Sequence, residues 1–152
     1  ALVYLYDLYP TLCDASGLPA PEGIDGKNLY PVIKGETASV RNSLYTAYRN
    51  TVRAVRTDEW KLIRYPQINH TQLYNLKSDP LEINNLATEI KYKDKVAEMM
   101  ELIKEWYKAT NDTMNLNPAV IQPMDYDYTK LVQKPDRWQP EYILNKYFKE
   151  SK

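Results

Sequence analysis

Between Ser43 and Leu76, apolar and polar residues alternate in short runs broken by turn-forming residues. A two-residue period of this kind is the signature of half-buried strands. It predicts four of them: Ser43–Tyr48, Val52–Thr57, Trp60–Tyr65 and Thr71–Leu76. Arg49-Asn50-Thr51, Thr57-Asp58-Glu59 and Pro66–His70 connect them, and links this short favour antiparallel pairing. The rhythm then changes. Tyr92, Val96, Met99, Met100, Ile103, Trp106 and Tyr107 recur at spacings of three and four, which predicts a charged helix with one apolar stripe over Lys91–Thr110. Such a stripe must be covered, and the adjacent sheet is its natural partner. The fold class read from the pattern is therefore α+β: a small four-stranded antiparallel sheet packed against a long amphipathic C-terminal helix.

The flanks are less regular. Leu2 to Gly17 reads as strand-like and then helical. Asp7 can cap the helix, Pro10 falls in its first turn, Leu8, Leu12 and Ala15 share a face, and Gly17 is a natural stop. Leu18 to Gly35 is punctuated by proline and glycine and reads as loop, with a helical turn at Leu29–Ile33. After Asn111 four prolines interrupt the chain, a short helix is expected at Tyr142–Phe148, and this aromatic-rich tail is expected to lie across another surface. Three segments follow: 1–40, a terminal helix and loop; 41–110, the sheet and its helix; and 111–152, an irregular tail.

Composition narrows the function classes. The 152 residues carry no formal net charge, so there is no electrostatic case for nucleic acid. No apolar run reaches the length of a membrane span. Tyrosine and tryptophan, at 14 and 3 against a single phenylalanine, suit wet, half-buried surfaces. Packing on polar neighbours is preferred over a ligand platform as the reason for them. The lone Cys13 excludes an internal disulfide and reads as a small buried hydrophobe. No Gly-rich phosphate loop and no His-Glu-x-x-His occurs, and His70 is the only histidine, far in sequence from Cys13. Acidic residues scatter over turns and the exposed helix face, as solvated surface does.

Several ordered motifs carry a family resemblance. The stretch Leu44–Ala87 runs through a basic strand, Asp58-Glu59-Trp60-Lys61-Leu62-Ile63, Leu73-Tyr74-Asn75-Leu76 and Asp79-Pro80-Leu81-Glu82, and ends on Asn84-Asn85-Leu86-Ala87. It resembles the C-terminal subdomain of the type I sulfatases. Tyr6-Asp7-Leu8-Tyr9-Pro10-Thr11-Leu12, Ala15-Ser16-Gly17-Leu18-Pro19 and Ile24-Asp25-Gly26-Lys27-Asn28-Leu29 look like the helix and loop ending the large α/β domain of such an enzyme. The resemblance covers about residues 2 to 107. It implies a sulfuric ester hydrolase with an alkaline-phosphatase-like fold, a calcium ion and a formylglycine made from Cys or Ser. The maturation motif, Cys or Ser followed by x-Pro-x-Arg, is absent. Cys13-Asp14-Ala15-Ser16-Gly17 lacks both the Pro and the Arg, so Cys13 is not the nucleophile. The family's metal-binding acids and its catalytic Lys and His belong to upstream segments.

The expectation is thus the C-terminal portion of a sulfatase. It has a structural and substrate-mouth role, no catalytic residue, metal ligand or cofactor of its own, and no activity alone. Its start within an apolar run is what a cut through a larger domain would leave. Its partners would be the missing N-terminal sulfatase domain and a sulfated glycan, with neither nucleic acid nor membrane. By family analogy the location is periplasmic or extracellular. Two residues are candidates for touching substrate. His70 can donate to sulfate or sugar oxygens, or can simply face water or the domain junction. The Arg49 guanidinium suits an oxyanion, but beside Arg53 and Arg56 a solvated strand face is the preferred reading. Asn69-His70-Thr71 and Asn111-Asp112-Thr113 fit the glycosylation sequon and matter only in a secreting eukaryote. Two alternatives stand beside the sulfatase reading: a free-standing carbohydrate-binding or protein-interaction module, and a parent enzyme that cleaves phosphate or sulfamate esters.

Overall fold

The computed structural model describes residues 1–125, 127–131 and 134–148, and the chain divides into two compact units, 1–122 and 123–152. In the first unit, β1 (Leu44–Tyr48), β2 (Val52–Arg56), β3 (Trp60–Tyr65) and β4 (His70–Asn75) form one sheet in the order β1-β2-β3-β4. Every neighbouring pair is antiparallel. The predicted strands match to within one residue at each end. His70 is the one site residue this affects, since it opens β4 instead of ending the preceding loop.

The core follows from the register. Tyr45, Val55, Leu62 and Leu73 lie opposite one another across the four strands and so share one face. Helix α3 (Lys93–Thr110), entered through a 3-10 turn at Ile90–Tyr92, covers that face, and Met99 and Ile103 complete the buried cluster. Val96, Met100, Trp106 and Tyr107 of the expected stripe pack around its rim. Burying each large apolar side chain here is worth about 1.5–3 kcal/mol. On the free edge of β4, Asn85 accepts from the Leu73 amide at 3.0 Å and donates to the Thr71 carbonyl at 3.1 Å. The Asn-Asn-Leu-Ala run thereby satisfies backbone groups that an edge strand would leave open.

In the N-terminal segment, Asp7 and Cys13 depart from the sequence expectation. Helix α1 (Leu8–Ala15) turns its Leu8 and Leu12 side chains outward, 49% and 63% exposed, and buries Pro10 and Thr11. Cys13 is half-buried. Asp7 precedes α1 but makes no capping bond with its side chain. Its carboxylate instead accepts from the amides of Tyr4 (2.6 Å) and Lys27 (2.8 Å) and forms a buried, bidentate pair with Arg41. Three bonding groups outcompete one cap. They also fold the 24–29 loop back onto α1, where Thr11 Oγ1 accepts from the Leu29 amide at 2.8 Å. The approach is close enough that a Cβ on Gly26 would stand 2.6 Å from the Tyr6 carbonyl. Helix α2 (Tyr30–Ile33) is one short turn.

The second unit holds a 3-10 turn at Tyr128–Lys130, whose Asp127 side chain accepts from the Thr129 amide, and a short helix, α4 (Glu141–Tyr147).

Candidate functional site

In a four-stranded meander the first and third connections lie at the same end of the sheet. The β1–β2 turn, carrying Arg49 and Asn50, therefore sits beside the β3–β4 turn, which leads into His70. Gln67 ties the two together through a 2.9 Å bond from Nε2 to the Asn50 carbonyl. Arg49 holds a left-handed backbone (φ 46°) and lays its guanidinium over the Tyr48 ring at 5.5 Å, fully on the surface. His70 is half-buried, opposite Tyr65 in the register and 5.9 Å from that ring. The structure thus places both candidates at one end of the sheet, Arg49 on the β1–β2 turn and His70 at the start of β4. Neither lines either of the two cavities described below.

Beneath these turns is a polar layer. Two residues along from the core row, Ala47, Arg53, Arg64 and Thr71 are successive cross-strand partners and point to the same face. Arg53 is 5% exposed and Arg64 6% exposed, so two arginines lie side by side in the interior. Of the two strand arginines beside Arg49, Arg53 is thus buried and Arg56 exposed. Just beyond α3, Asp112 accepts from Arg53 Nε at 2.7 Å and Nη2 at 3.1 Å, from the Tyr45 hydroxyl at 2.6 Å and from the Met114 amide at 2.9 Å. The Arg53 bonds, outweighing the effect of burial, and the Tyr45 bond hold the Asp112 carboxyl well below the usual carboxylate range. Burial, with the Asp112 carboxylate beside it, raises the Tyr45 phenol.

Among the described residues Arg64 has no such partner. Its Nη groups reach Thr71 Oγ1 (3.1 Å), Asn69 Oδ1 (2.7 Å), the Leu116 carbonyl (3.1 Å) and Asn117 Oδ1 (3.4 Å), all neutral. Its Nε is buried without a partner, and burial lowers its pKa. Asn50, Gln67, Thr113 and Asn115 line a shallow cavity of about 350 Å³ at this end. A larger groove, about 830 Å³, runs between the N-terminal segment (Tyr4, Tyr6, Lys27, Arg41) and the end of α3 at Trp106 and Asn111. Its Arg41 is spent on Asp7, whose carboxyl is raised by burial but brought down to about 2 by Arg41 and the two amides.

Arg53, Arg64 and Asp112 escaped the sequence reading. The signal was present in the alternation, because Arg53 and Arg64 stand two residues from Val55 and Leu62 and so must share their inward face. Among the described residues no group of three or more His, Cys, Asp and Glu could hold a metal ion. The donor set a calcium ion needs is not formed by these residues.

A family model described as N-sulphoglucosamine sulphohydrolase, C-terminal, matches residues 1–110. The chain belongs to this family. It is similar to the N-acetylglucosamine-6-O-sulfatase of Bacteroides thetaiotaomicron, 33% identical over 118 residues, 70% of this chain and 21% of that protein. It also matches a Delta 4,5-hexuronate-2-O-sulfatase of the same organism, at 33% over 114 residues, 70% of this chain and 24% of that protein. Among solved structures, one bound to its substrate D-glucosamine-2-N,6-O-disulfate superimposes with a TM-score of 0.62 at 31% identity, covering 70% of this chain and 24% of that one. The chain therefore spans about a fifth to a quarter of the length of these relatives, and it matches the C-terminal part of sulfatases.

Proposed function

We propose that this sulfatase C-terminal region serves a sulfuric ester hydrolase acting on sulfated carbohydrate, as a docking and substrate-mouth subdomain with no activity by itself. The family match over residues 1–110 carries the reading. The relatives it aligns with are described as acting on sulfated sugars. Calcium and formylglycine would be supplied by the large domain, and the enzyme would be periplasmic or extracellular.

Two features of the fold support the division of labour. Leu5, Leu8 and Leu12 are 84%, 49% and 63% exposed on one N-terminal stretch, an apolar surface suited to docking on a larger domain. At the sheet end, Arg49 on the β1–β2 turn and His70 at the start of β4 offer a guanidinium and an imidazole, both suited to sulfate and sugar oxygens. In the parent enzyme, His70→Ala and Arg49→Ala should each raise KM for a sulfated disaccharide several-fold while kcat stays near wild type, because uniform binding alone is lost. Unchanged KM in both variants would refute the mouth assignment.

A further inference from the structure

The arginine layer at this sheet end is short of negative charge. Arg53 and Arg64 are direct cross-strand partners, a position in which like charges destabilise. One carboxylate, Asp112, serves them, and it binds Arg53. Among the described residues, neither Arg64 nor Arg49 has a carboxylate within ion-pair distance. A guanidinium taken from water without an anion loses several kcal/mol of solvation, which neutral acceptors only partly restore. Arg64 keeps its charge, since an arginine does not deprotonate in a protein. Arg64 is thus a buried positive charge for which residues 1–122 supply neutral acceptors and no carboxylate.

A place for a counter-charge is adjacent. Arg64 lines no part of the 350 Å³ cavity, but it bonds the Leu116 carbonyl and Asn117 Oδ1, on the short segment between the lining residues Asn115 and Pro118. The Asn115 side chain accepts from the Asn117 amide at 2.9 Å, which leaves its own NH2 to donate. The Asn50 amide and the Thr113 hydroxyl, also in the lining, have no internal bond among the described residues. Asp112 borders the same cavity, but its charge is turned inward onto Arg53, Tyr45 and the Met114 amide.

We infer that this cavity is a subsite for a sulfate-type oxyanion, held by the Asn50, Thr113 and Asn115 donors in the field of the buried Arg64. Identifying that anion with a sulfate group of the substrate rests on the mouth reading above; the binding of an oxyanion does not.

The test uses the 152-residue chain and inorganic sulfate, titrated against chloride at equal ionic strength. NMR signals of the Asn50 and Asn115 side-chain amides are followed. Saturable shifts confined to the cavity are expected. Arg64→Met should weaken the affinity about tenfold or more, the loss of about 1.4 kcal/mol of attraction. Asn115→Leu, which removes the side-chain amide donor and leaves Arg64 in place, decides the matter if Arg64→Met fails to fold. Absence of saturable shifts, or wild-type affinity in a folded variant of either kind, overturns the subsite. Sulfate binding together with unchanged KM in the His70 and Arg49 variants would sink the mouth reading while leaving the subsite standing.

Discussion

Replacing Asp112 by alanine removes the acceptor that joins the end of α3 to β1 and β2. Four bonds go at once: two from Arg53, one from Tyr45 and one from the Met114 amide. The cost is set less by the bonds than by what they leave behind. Arg53 is 5% exposed and would become a second buried guanidinium without an anion, directly opposite Arg64. Breaking a buried pair in this way costs about 3–5 kcal/mol, a large share of the 5–15 kcal/mol that holds a typical domain. Asp112→Asn keeps the shape and an acceptor but not the charge, and should cost roughly half as much. Urea unfolding followed by the fluorescence of Trp106, which stacks on Tyr45 at 5.9 Å, reads both variants.

The pH dependence gives an internal check. The folded carboxyl lies below its unfolded value, so its contribution is complete above the unfolded pKa and is lost as pH falls toward the folded one. With an unfolded pKa near 3.9, the gap between wild type and Asp112→Asn should narrow by about 1 kcal/mol between pH 7 and pH 3. A cost below 1 kcal/mol for Asp112→Ala, or a gap that does not move with pH, would refute the reasoning.

Other perturbations probe other parts of the molecule. Ile103→Ala opens a cavity between α3 and the sheet and should cost about 2–5 kcal/mol in the same unfolding assay; Ile103→Asp should uncouple helix from sheet, seen as loss of near-UV circular dichroism. Gly26→Ala forces a Cβ against the Tyr6 carbonyl and Pro10, and should lower stability by about 1–3 kcal/mol. Asp7, whose carboxyl sits at about 2, contributes stability that is complete above pH 4 and fades below it. Asp7→Asn should therefore be markedly less stable than wild type at pH 7 and closer to it at pH 3.

What could be read from the sequence depended on whether periodicity or a distant partner decides the structure. The α3 stripe and the four strands were legible because each element buries one face, and burial imposes a repeat of 3.6 or 2 on the residues themselves. Asp7 was misread because its partners are not local: Lys27 and Arg41 lie 20 and 34 positions away and displace the cap its position suggested. The exposure of the Leu8 and Leu12 face of α1 also depends on a distant partner. Its apolar residues are real, but nothing in residues 1–122 covers them. At the sheet end, the placing of Arg49 and His70 together followed from strand order, whereas the buried Arg53 and Arg64 were hidden by the habit of placing charge on the solvent side of a strand. Period two fixes their direction regardless of charge.

The central claim is that these residues form a helix-backed sheet serving a larger catalytic domain and hold no reactive centre. Incubating the purified chain with an aryl sulfate and calcium is the most direct measurement. The account predicts no release of sulfate above the uncatalysed background. Turnover that persists through purification and tracks with the folded chain would contradict it.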